Sequence, residues 1–277
     1  MHYKTILVHA DLSRHAPERL RQAARLAGAH DAHLMGVAAT GVSRAVFPRG
    51  YQAHAGSLEA SYFEPLRDSA AQALDHVDTV ARDAGVSQET RLVWDLASDA
   101  LARMARFADL VVVSQYDPDE ALTEPGWRIP EYVAITSARP VLVIPCASAP
   151  EPGRYVLVAW NGSRESSAAL QAALPLMRRA ARVCIVSFRS PDDADLLDDR
   201  WQADLAAYLA RHGVEADIVA LDQDIDHGHA LLAMAVAEAV DLIVMGCYGH
   251  SQFRELFLGG VTRTVLRDTT VPVLIAR

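Results

Sequence analysis

The sequence is poor in lysine and cysteine. Lys4 is the only lysine among 26 basic residues. A Gly-Lys-Ser phosphate loop and a Schiff-base lysine are therefore both excluded. The three cysteines, Cys146, Cys184 and Cys247, lie far apart and form no Cys-x-x-Cys pair. This usage predicts a cytoplasmic protein without a disulfide framework.

Excess basic charge and long apolar runs are also missing. The chain has 26 basic and 35 acidic residues, for a net charge of −9, so no nucleic-acid-binding or anionic-lipid-binding face is predicted. No segment reaches the roughly 18 apolar residues of a membrane span, and the apolar run at the N-terminus is too short for a signal peptide. With 277 residues, half of them hydrophobic, the chain is long enough for two domains with large cores.

An internal repeat supports two domains. Three segments of the first half match segments of the second: residues 5–13 with 155–163, residues 108–114 with 240–246, and residues 139–145 with 271–276. The first pair is offset by 150 residues and the other two by 132, so the first half carries 18 extra residues, which we place around residues 39–61. A Pro- and Gly-containing linker at residues 147–153 predicts domains over residues 1–147 and 153–277.

Short β-branched runs alternate with alanine-rich segments of helical period in each half. In the second half we predict strands at residues 155–160, 183–188, 215–220, 241–245 and 271–275, and helices at residues 164–179, 198–212, 230–239 and 261–268. The strands are apolar throughout, which is typical of a parallel sheet that is buried on both faces. The expected fold class is α/β, with two tandem doubly wound domains. Each has a mostly parallel five-stranded sheet and helices on both faces.

A glycine-rich loop is predicted at the carboxyl end of the second-half sheet. It begins at the end of a strand with Gly246 and Gly249, which allow close backbone approach, and finishes at a helix N-terminus with Gly259 and Gly260. Backbone N–H groups at such a terminus bind anions, and Thr262 adds a hydroxyl donor. The loop therefore predicts a lysine-free phosphate site. The alternative is that Gly246-x-x-Gly249 is only a tight turn.

The chain resembles a tandem universal stress protein of the UspA family over nearly its whole length. The resemblance rests on the repeated Ala-Asp-Leu-Val and Val-Asp-Leu-Ile strands and on the family signature Gly-x2-Gly-x9-Gly-(Ser/Thr). Gly246, Gly249 and Gly259 match this signature, whereas Gly260 replaces its Ser or Thr. The resemblance implies a Rossmann-like, adenine nucleotide α-hydrolase-like fold. It also implies binding of ATP, with Mg as an accompanying ion and ADP or AMP as alternatives.

The resemblance also implies further contacts for the nucleotide. Asn161, where the family usually has Asp, is expected at the ribose. Phe188 either packs on adenine or is a core aromatic residue. The complete set of predicted binding residues is Asn161, Phe188, Met245, Gly246, Tyr248, Gly249, Gly259, Gly260, Val261 and Thr262.

The first half lacks this loop chemistry. The two loops align without gaps, and Ser114, Asp117, Trp127 and Arg128 replace Gly246, Gly249, Gly259 and Gly260. A carboxylate repels phosphate and an indole fills the space, although Asp11 matches the family's strand-1 Asp. We therefore expect that the first domain does not bind ATP and serves as a structural partner or as a site for something else.

Three functions remain open: an ATP-binding regulatory stress protein, an interaction module without nucleotide, and a slow ATPase. No catalytic residue is predicted. A metal site at Asp222, Asp224 and Asp226 is disfavoured against a solvated loop, and a redox role of Cys247 is a weaker alternative. The resemblance also implies pairing of the two domains through their terminal strands, near residues 140–145 and 271–275, and allows a homodimer.

Overall fold

The computed structural model describes residues 2–46, 58–120, 128–147, 150–188, 200–221, 226–247 and 260–277, and for residues 58–61 it describes the backbone only. Contacts between Cα atoms divide the chain into two compact units, residues 2–141 and residues 142–277. This division falls a few residues before the linker at residues 147–153. The domain bounds that we place on that linker stay a prediction.

The N-terminal unit contains a parallel sheet. Its strands, in the order β3-β2-β1-β4, are β1 (Thr5–His9), β2 (His33–Ala39), β3 (Gln88–Val93) and β4 (Leu110–Ser114). A short strand β5 (Val141–Ile144) follows Pro140, whose carbonyl accepts a hydrogen bond from Val111 N at 3.0 Å. Ile6, Leu7 and Val8 are all completely buried, and successive side chains of a strand point to opposite faces. Both faces of this sheet are therefore covered.

Helices cover the N-terminal sheet. They are α1 (Ala16–His30), α2 (Leu58–Asp83), α3 (Ala97–Met104) and α4 (Ile129–Ser137). Helix α1 packs against β1 and β4 and contacts α2, whereas α3 packs against β1 and β2 and contacts α4. The carboxyl ends of β1, β2 and β4 lie on one edge of the sheet because the three strands are parallel.

The C-terminal unit has the same kind of sheet. Its strands, in the order β10-β9-β6-β7-β8, are β6 (Tyr155–Ala159), β7 (Arg182–Phe188), β8 (Asp217–Leu221), β9 (Leu242–Gly246) and β10 (Val273–Ala276), all parallel. The described helices are α5 (Arg164–Met177), α6 (Trp201–Arg211), α7 (His227–Ala237) and α8 (Val261–Asp268). The predicted α/β class and the parallel sheets are confirmed.

The repeated aspartates hold the first strand of each unit. Asp109 Oδ2 accepts hydrogen bonds from Lys4 N at 2.7 Å and Thr5 N at 3.0 Å. Asp241 in the second unit accepts bonds from the backbone N–H groups of Gly153, Arg154 and Tyr155. The occurrence of this aspartate in both halves thus has a structural cause. Each aspartate fixes the start of the neighbouring strand.

No helix among the described residues is long and apolar enough to cross a membrane.

Candidate functional site

The predicted nucleotide site lies at the carboxyl end of the C-terminal sheet, and the structure describes most of it. Tyr248, Gly249 and Gly259 lie outside the described residues, as do Trp127 of the first half and Asp222 and Asp224 of the acidic loop. The described members lie at the ends of β7 and β9, just after β6 or at the start of α8, so the parallel topology brings them to one edge of this unit's sheet.

Gly246 ends β9 where the backbone meets the first turn of α5. A Cβ atom at this position would lie 2.5 Å from Ser166 N and 2.6 Å from Glu165 C. Real Cβ atoms do not approach backbone atoms so closely. Close helix packing therefore requires this glycine, whether or not a phosphate binds beside it.

Glu165, which the sequence analysis missed, is a buried carboxylate at this contact. Its side chain is 4% exposed and pairs with Arg164 Nε at 2.5 Å. Burial raises the pKa of Glu165, but the hydrogen bonds from Arg164 and from the Glu165 backbone N–H, together with the Arg164 and Arg277 charges, lower it overall. The corner next to Gly246 therefore contains an ionised carboxylate that is paired with Arg164.

Asn161 follows β6 and forms a tight turn. Its Oδ1 accepts a hydrogen bond from Ser163 N at 3.2 Å, and Ser163 Oγ in turn accepts one from Ser166 N at 3.2 Å and caps α5. The side-chain amide of Asn161 still has two N–H donors, and the residue is half-buried. This geometry suits a hydroxyl-bearing ligand.

Phe188 and the start of α8 lie in different local surroundings. The Phe188 ring stacks on the His227 imidazole, with ring centroids 5.0 Å apart and an interplanar angle of 12°, so one face of the ring is already covered. Gly260 occupies the N-cap position of α8, where helix geometry leaves the first N–H groups for a ligand. The Thr262 side chain is buried at 3% exposure, as is Met245.

Cys247 is also buried, with 1% exposure. Its backbone N–H bonds to Ala276 O at 2.9 Å. A buried thiol in a β-ladder position is typical of a packing residue rather than of a redox sensor.

An open cleft lies at the carboxyl end of the N-terminal sheet. Its volume is about 650 Å³, and its walls come from the ends of β1, β2 and β4, from α2 and from the start of α4. His9, Asp11, Arg19 and Ser114 form its floor. The sequence analysis named Asp11 and Ser114 here but did not predict an open cleft.

Arg19 is the buried centre of this floor. It is 1% exposed, and it donates to His9 O at 2.8 Å, to Ser114 Oγ at 2.7 Å and to Asp11 Oδ1 at 2.7 Å. Burial raises the pKa of Asp11, but the charges of Arg19 and His9 and the hydrogen bonds from Ser13 and Arg19 together bring it well below its usual range, so the carboxylate stays ionised. The buried position of Arg19 can be recognised in the sequence, because Arg19 lies on the apolar face of α1 together with Ala16, Ala23 and Ala27.

A second ion cluster closes one side of the cleft. Asp117 Oδ2 accepts a bond from Arg14 Nε at 2.9 Å, pairs with Arg14 Nη2, and lies 2.5 Å from His15 Nε2. The hydrogen bonds from His15 and Arg14 hold the pKa of Asp117 well below its usual range. Asp117, which replaces the second glycine of the signature, is thus a fixed negative charge with its own cations.

Comparison with known proteins finds a matching protein family and several relatives. The model described as "Universal stress protein family" matches residues 154–277. A universal stress protein of Thermus aquaticus is 31% identical over 135 residues, which are 45% of this chain and 98% of that protein. Two other curated relatives match short segments. Slr1230 of Synechocystis is 51% identical over 39 residues, 14% of each chain, and MJ0577 of Methanocaldococcus jannaschii is 36% identical over 47 residues, 17% of this chain and 29% of that protein.

Solved structures match over almost the whole length. A universal stress protein of Archaeoglobus fulgidus has a TM-score of 0.73 at 16% identity and covers 99% of this chain and 96% of its own. Protein PA1789 of Pseudomonas aeruginosa, described as functionally unknown, has a TM-score of 0.60 at 15% identity, with 99% and 92% coverage. These two structures support the doubly wound α/β fold.

Fold and site together define a doubly wound α/β protein with a cleft at the carboxyl ends of the parallel strands of its N-terminal unit. The match at 31% identity covers 98% of the Thermus aquaticus relative. The chain therefore belongs to the universal stress protein family.

Proposed function

We propose that the C-terminal domain, residues 153–277, binds ATP or a related adenine nucleotide as a regulatory ligand rather than as a rapidly consumed substrate. The observation that carries the proposal is the convergence of the Asn161 turn, the end of β9 at Gly246 and the N-terminus of α8 on one edge of the C-terminal sheet. The chain has no phosphate-loop lysine, and we assign the phosphate oxygens to backbone N–H groups at the start of α8.

The residues present fit such a ligand. Asn161 offers amide donors for ribose hydroxyls, and the first N–H groups of α8, at Val261 and Thr262, offer an anion site. Gly249 and Gly259 complete the predicted binding loop. Nucleotide binding stabilises the state that binds it, and this biases the surface presented to a partner protein.

Calorimetric titration of ATP into the full chain tests this proposal. We expect saturable binding by the wild type and a loss of at least about tenfold, or 1.4 kcal/mol, in Gly249→Asp, which sets a carboxylate against the phosphates. Gln202→Asp adds the same charge on the exposed surface of α6 and should bind like the wild type. No binding at millimolar ATP by any variant contradicts the proposal and favours an interaction module.

A reciprocal change probes the ribose contact. Asn161→Asp keeps the Oδ1 acceptor for Ser163 N, as Asp11 does for Ser13 N at 3.0 Å in the first unit. A carboxylate accepts ribose hydroxyls more strongly than an amide, so ATP binding should tighten. Unchanged affinity would show that Asn161 does not touch the ligand. Multiple-turnover release of ADP that disappears in Gly249→Asp would instead favour the slow ATPase.

We propose in addition that the apolar strands β5 and β10 pair with each other within one chain, so that the backbone groups along their edges are hydrogen-bonded. Val273, Leu274 and Ile275 are completely buried, and an unpaired apolar edge strand is prone to association. A homodimer formed through the same edges is the alternative.

A further inference from the structure

The cleft of the N-terminal unit has the size of a small-molecule site and takes no part in the proposed ATP binding. Its volume of about 650 Å³ falls within the range of roughly 300–1,000 Å³ typical of ligand pockets. It also lies where ligands bind in open parallel sheets, beyond the carboxyl ends of the strands. Its lining residues all belong to residues 2–141.

The charges around this cleft already neutralise one another. Arg19 pairs with Asp11 at 2.7 Å, and Arg14 and His15 hold Asp117. Arg128 stands 4.5 Å from the centroid of the Tyr116 ring and 3.8 Å from Glu131 Oε1. An anion entering the cleft would meet Asp11, Asp117 and Glu120, and a cation would compete with guanidinium groups that are already in place. The charge pattern therefore favours an uncharged ligand.

One strong hydrogen-bond acceptor is nevertheless available. Asp11 Oδ1 accepts bonds from Ser13 N, Ser13 Oγ and Arg19 Nη2, at 3.0, 2.6 and 2.7 Å. Oδ2 of the same carboxylate lies 3.4 Å from His9 Nδ1 and takes no part in those three bonds. The Asp11 side chain is 32% exposed and lines the cleft. An ionised oxygen with spare acceptor capacity binds hydroxyl groups well.

The opposite wall is apolar. Leu66 and Ala70 of α2, Ala97 of α3, and Ile129 and Pro130 of α4 line the cleft. Leu66 is 41% exposed, so it offers apolar surface that a ligand would remove from water. The cleft thus combines a hydroxyl acceptor on its floor with a hydrophobic side.

We propose that the N-terminal cleft binds an uncharged small molecule that carries adjacent hydroxyl groups on one part and an apolar ring on the other. Aryl glycosides and nucleosides share this chemistry. The hydroxyl groups donate to Asp11 Oδ2, and the ring packs against Leu66 and Ile129. The cleft discriminates against the phosphorylated forms of such compounds because Asp117 and Glu120 face it.

Titration calorimetry with the full chain tests the proposal and separates the two sources. The probes are phenyl β-D-glucoside and adenosine, each titrated up to 5 mM (about the practical limit for weak ligands), with ATP as the phosphorylated comparison. We expect saturable binding of at least one uncharged probe. Binding of the glycoside alone, of the nucleoside alone or of both shows which class of compound the cleft accepts. Each of these results supports the proposal.

Two tryptophan variants assign the binding to this cleft. Ser69 and Thr79 are both exposed on α2, and each hydroxyl donates to the carbonyl four residues earlier, but only Ser69 lines the cleft. Ser69→Trp should fill the cleft and weaken probe binding by at least about tenfold. Thr79→Trp should leave the affinity unchanged. Equal binding by both variants, or no binding of either probe to the wild type, overturns the proposal.

The acceptor and the charge selection have their own test. Asp11→Asn keeps a turn that Asn161 makes in the second unit, and it should weaken probe binding by about tenfold because the acceptor loses its charge. Thermal unfolding checks that this variant folds. Heat from ATP that disappears in Ser69→Trp would overturn the proposed discrimination against phosphate. Probe binding that persists in Gly249→Asp separates this cleft from the proposed ATP site, so either proposal can fail alone.

Discussion

His9 is a buried histidine at the end of β1 and is held neutral by its surroundings. Burial, together with the positive charge of Arg19, lowers its pKa to about 4, although the carboxylate of Asp11 opposes this. The side chain is 8% exposed, and its Nδ1 lies 3.4 Å from Asp11 Oδ2. Protonation of His9 would place a second positive charge beside the Arg19 guanidinium, and the two charges would repel each other.

This low pKa predicts acid sensitivity between pH 6.5 and 4. In that window the unfolded chain binds a proton at His9 and the folded protein does not, so the free energy of unfolding falls as the pH falls. At about 1.4 kcal/mol per pKa unit, the His9 contribution to this loss is about 3 kcal/mol. Denaturant unfolding of wild type and His9→Gln across this range checks it.

The expected result is a flatter pH profile for His9→Gln than for the wild type. The exposed His76 on α2 provides the matched control, since His76→Gln should keep the wild-type slope. Identical slopes for the wild type and His9→Gln would show that His9 is protonated in the folded protein at pH 5.

At the scale of elements, the close contact between β9 and α5 depends on the absence of a side chain at Gly246. Gly246 permits the α5 backbone to approach within distances that no Cβ atom tolerates. Helix α5 starts there because Ser163 caps it and because Asn161 shapes the turn that leads into it. The end of β9 and the beginning of α5 therefore form one rigid corner of the candidate site.

Gly246→Ala should destabilise the protein by about 2–3 kcal/mol or more, because its methyl group meets backbone atoms rather than a movable side chain. Gly28→Ala in α1 is the matched control. Its Cβ would meet only Val86 Cγ1, at an ordinary 3.4 Å, and alanine is favoured in helices by up to about 1 kcal/mol. Chemical denaturation without nucleotide measures both. An unchanged stability of Gly246→Ala would contradict the close contact.

The observed starts of the helices show which sequence signals were sufficient to predict where a helix begins. Residues 164–179 were predicted as a helix from the Ser163 cap, and α5 indeed starts at Arg164. Helix α7 begins three residues earlier than predicted, because Asp226 Oδ1 accepts bonds from Gly228 N and His229 N and caps the helix. The sequence alone assigned Asp226 to an acidic loop, since a capping aspartate and a loop aspartate have the same local composition.

At the scale of the whole molecule, the two units each contain a parallel sheet of the same kind. Asp109 and Asp241 make the same bonds to the start of a neighbouring strand in their respective units. The carboxyl ends of the sheets differ. The first unit has Arg19 bonded to Ser114, whereas the second has Gly246 pressed against α5. The two units thus share the kind of sheet and differ in the chemistry at its edge.

The proposed pairing of terminal strands makes a prediction about the particle in solution. Static light scattering should give the mass of one chain, 30.1 kDa, and hydrogen exchange should find the amides of β5 and β10 protected in that particle. A mass of two chains would mean that edges pair between molecules. Rapid exchange of both strands in a single-chain particle would contradict any pairing of these edges.

The sequence by itself determined the α/β class, the parallel sheets and most strand and helix positions. These depend on local composition, since uninterrupted apolar runs are buried on both faces and capping residues begin helices. Only the tertiary structure decided the chemistry of the sites. The bond from Arg19 to Ser114, the stacking of Phe188 on His227 and the close approach at Gly246 join residues far apart in the chain. Such contacts depend on how the elements pack, and no local pattern encodes them.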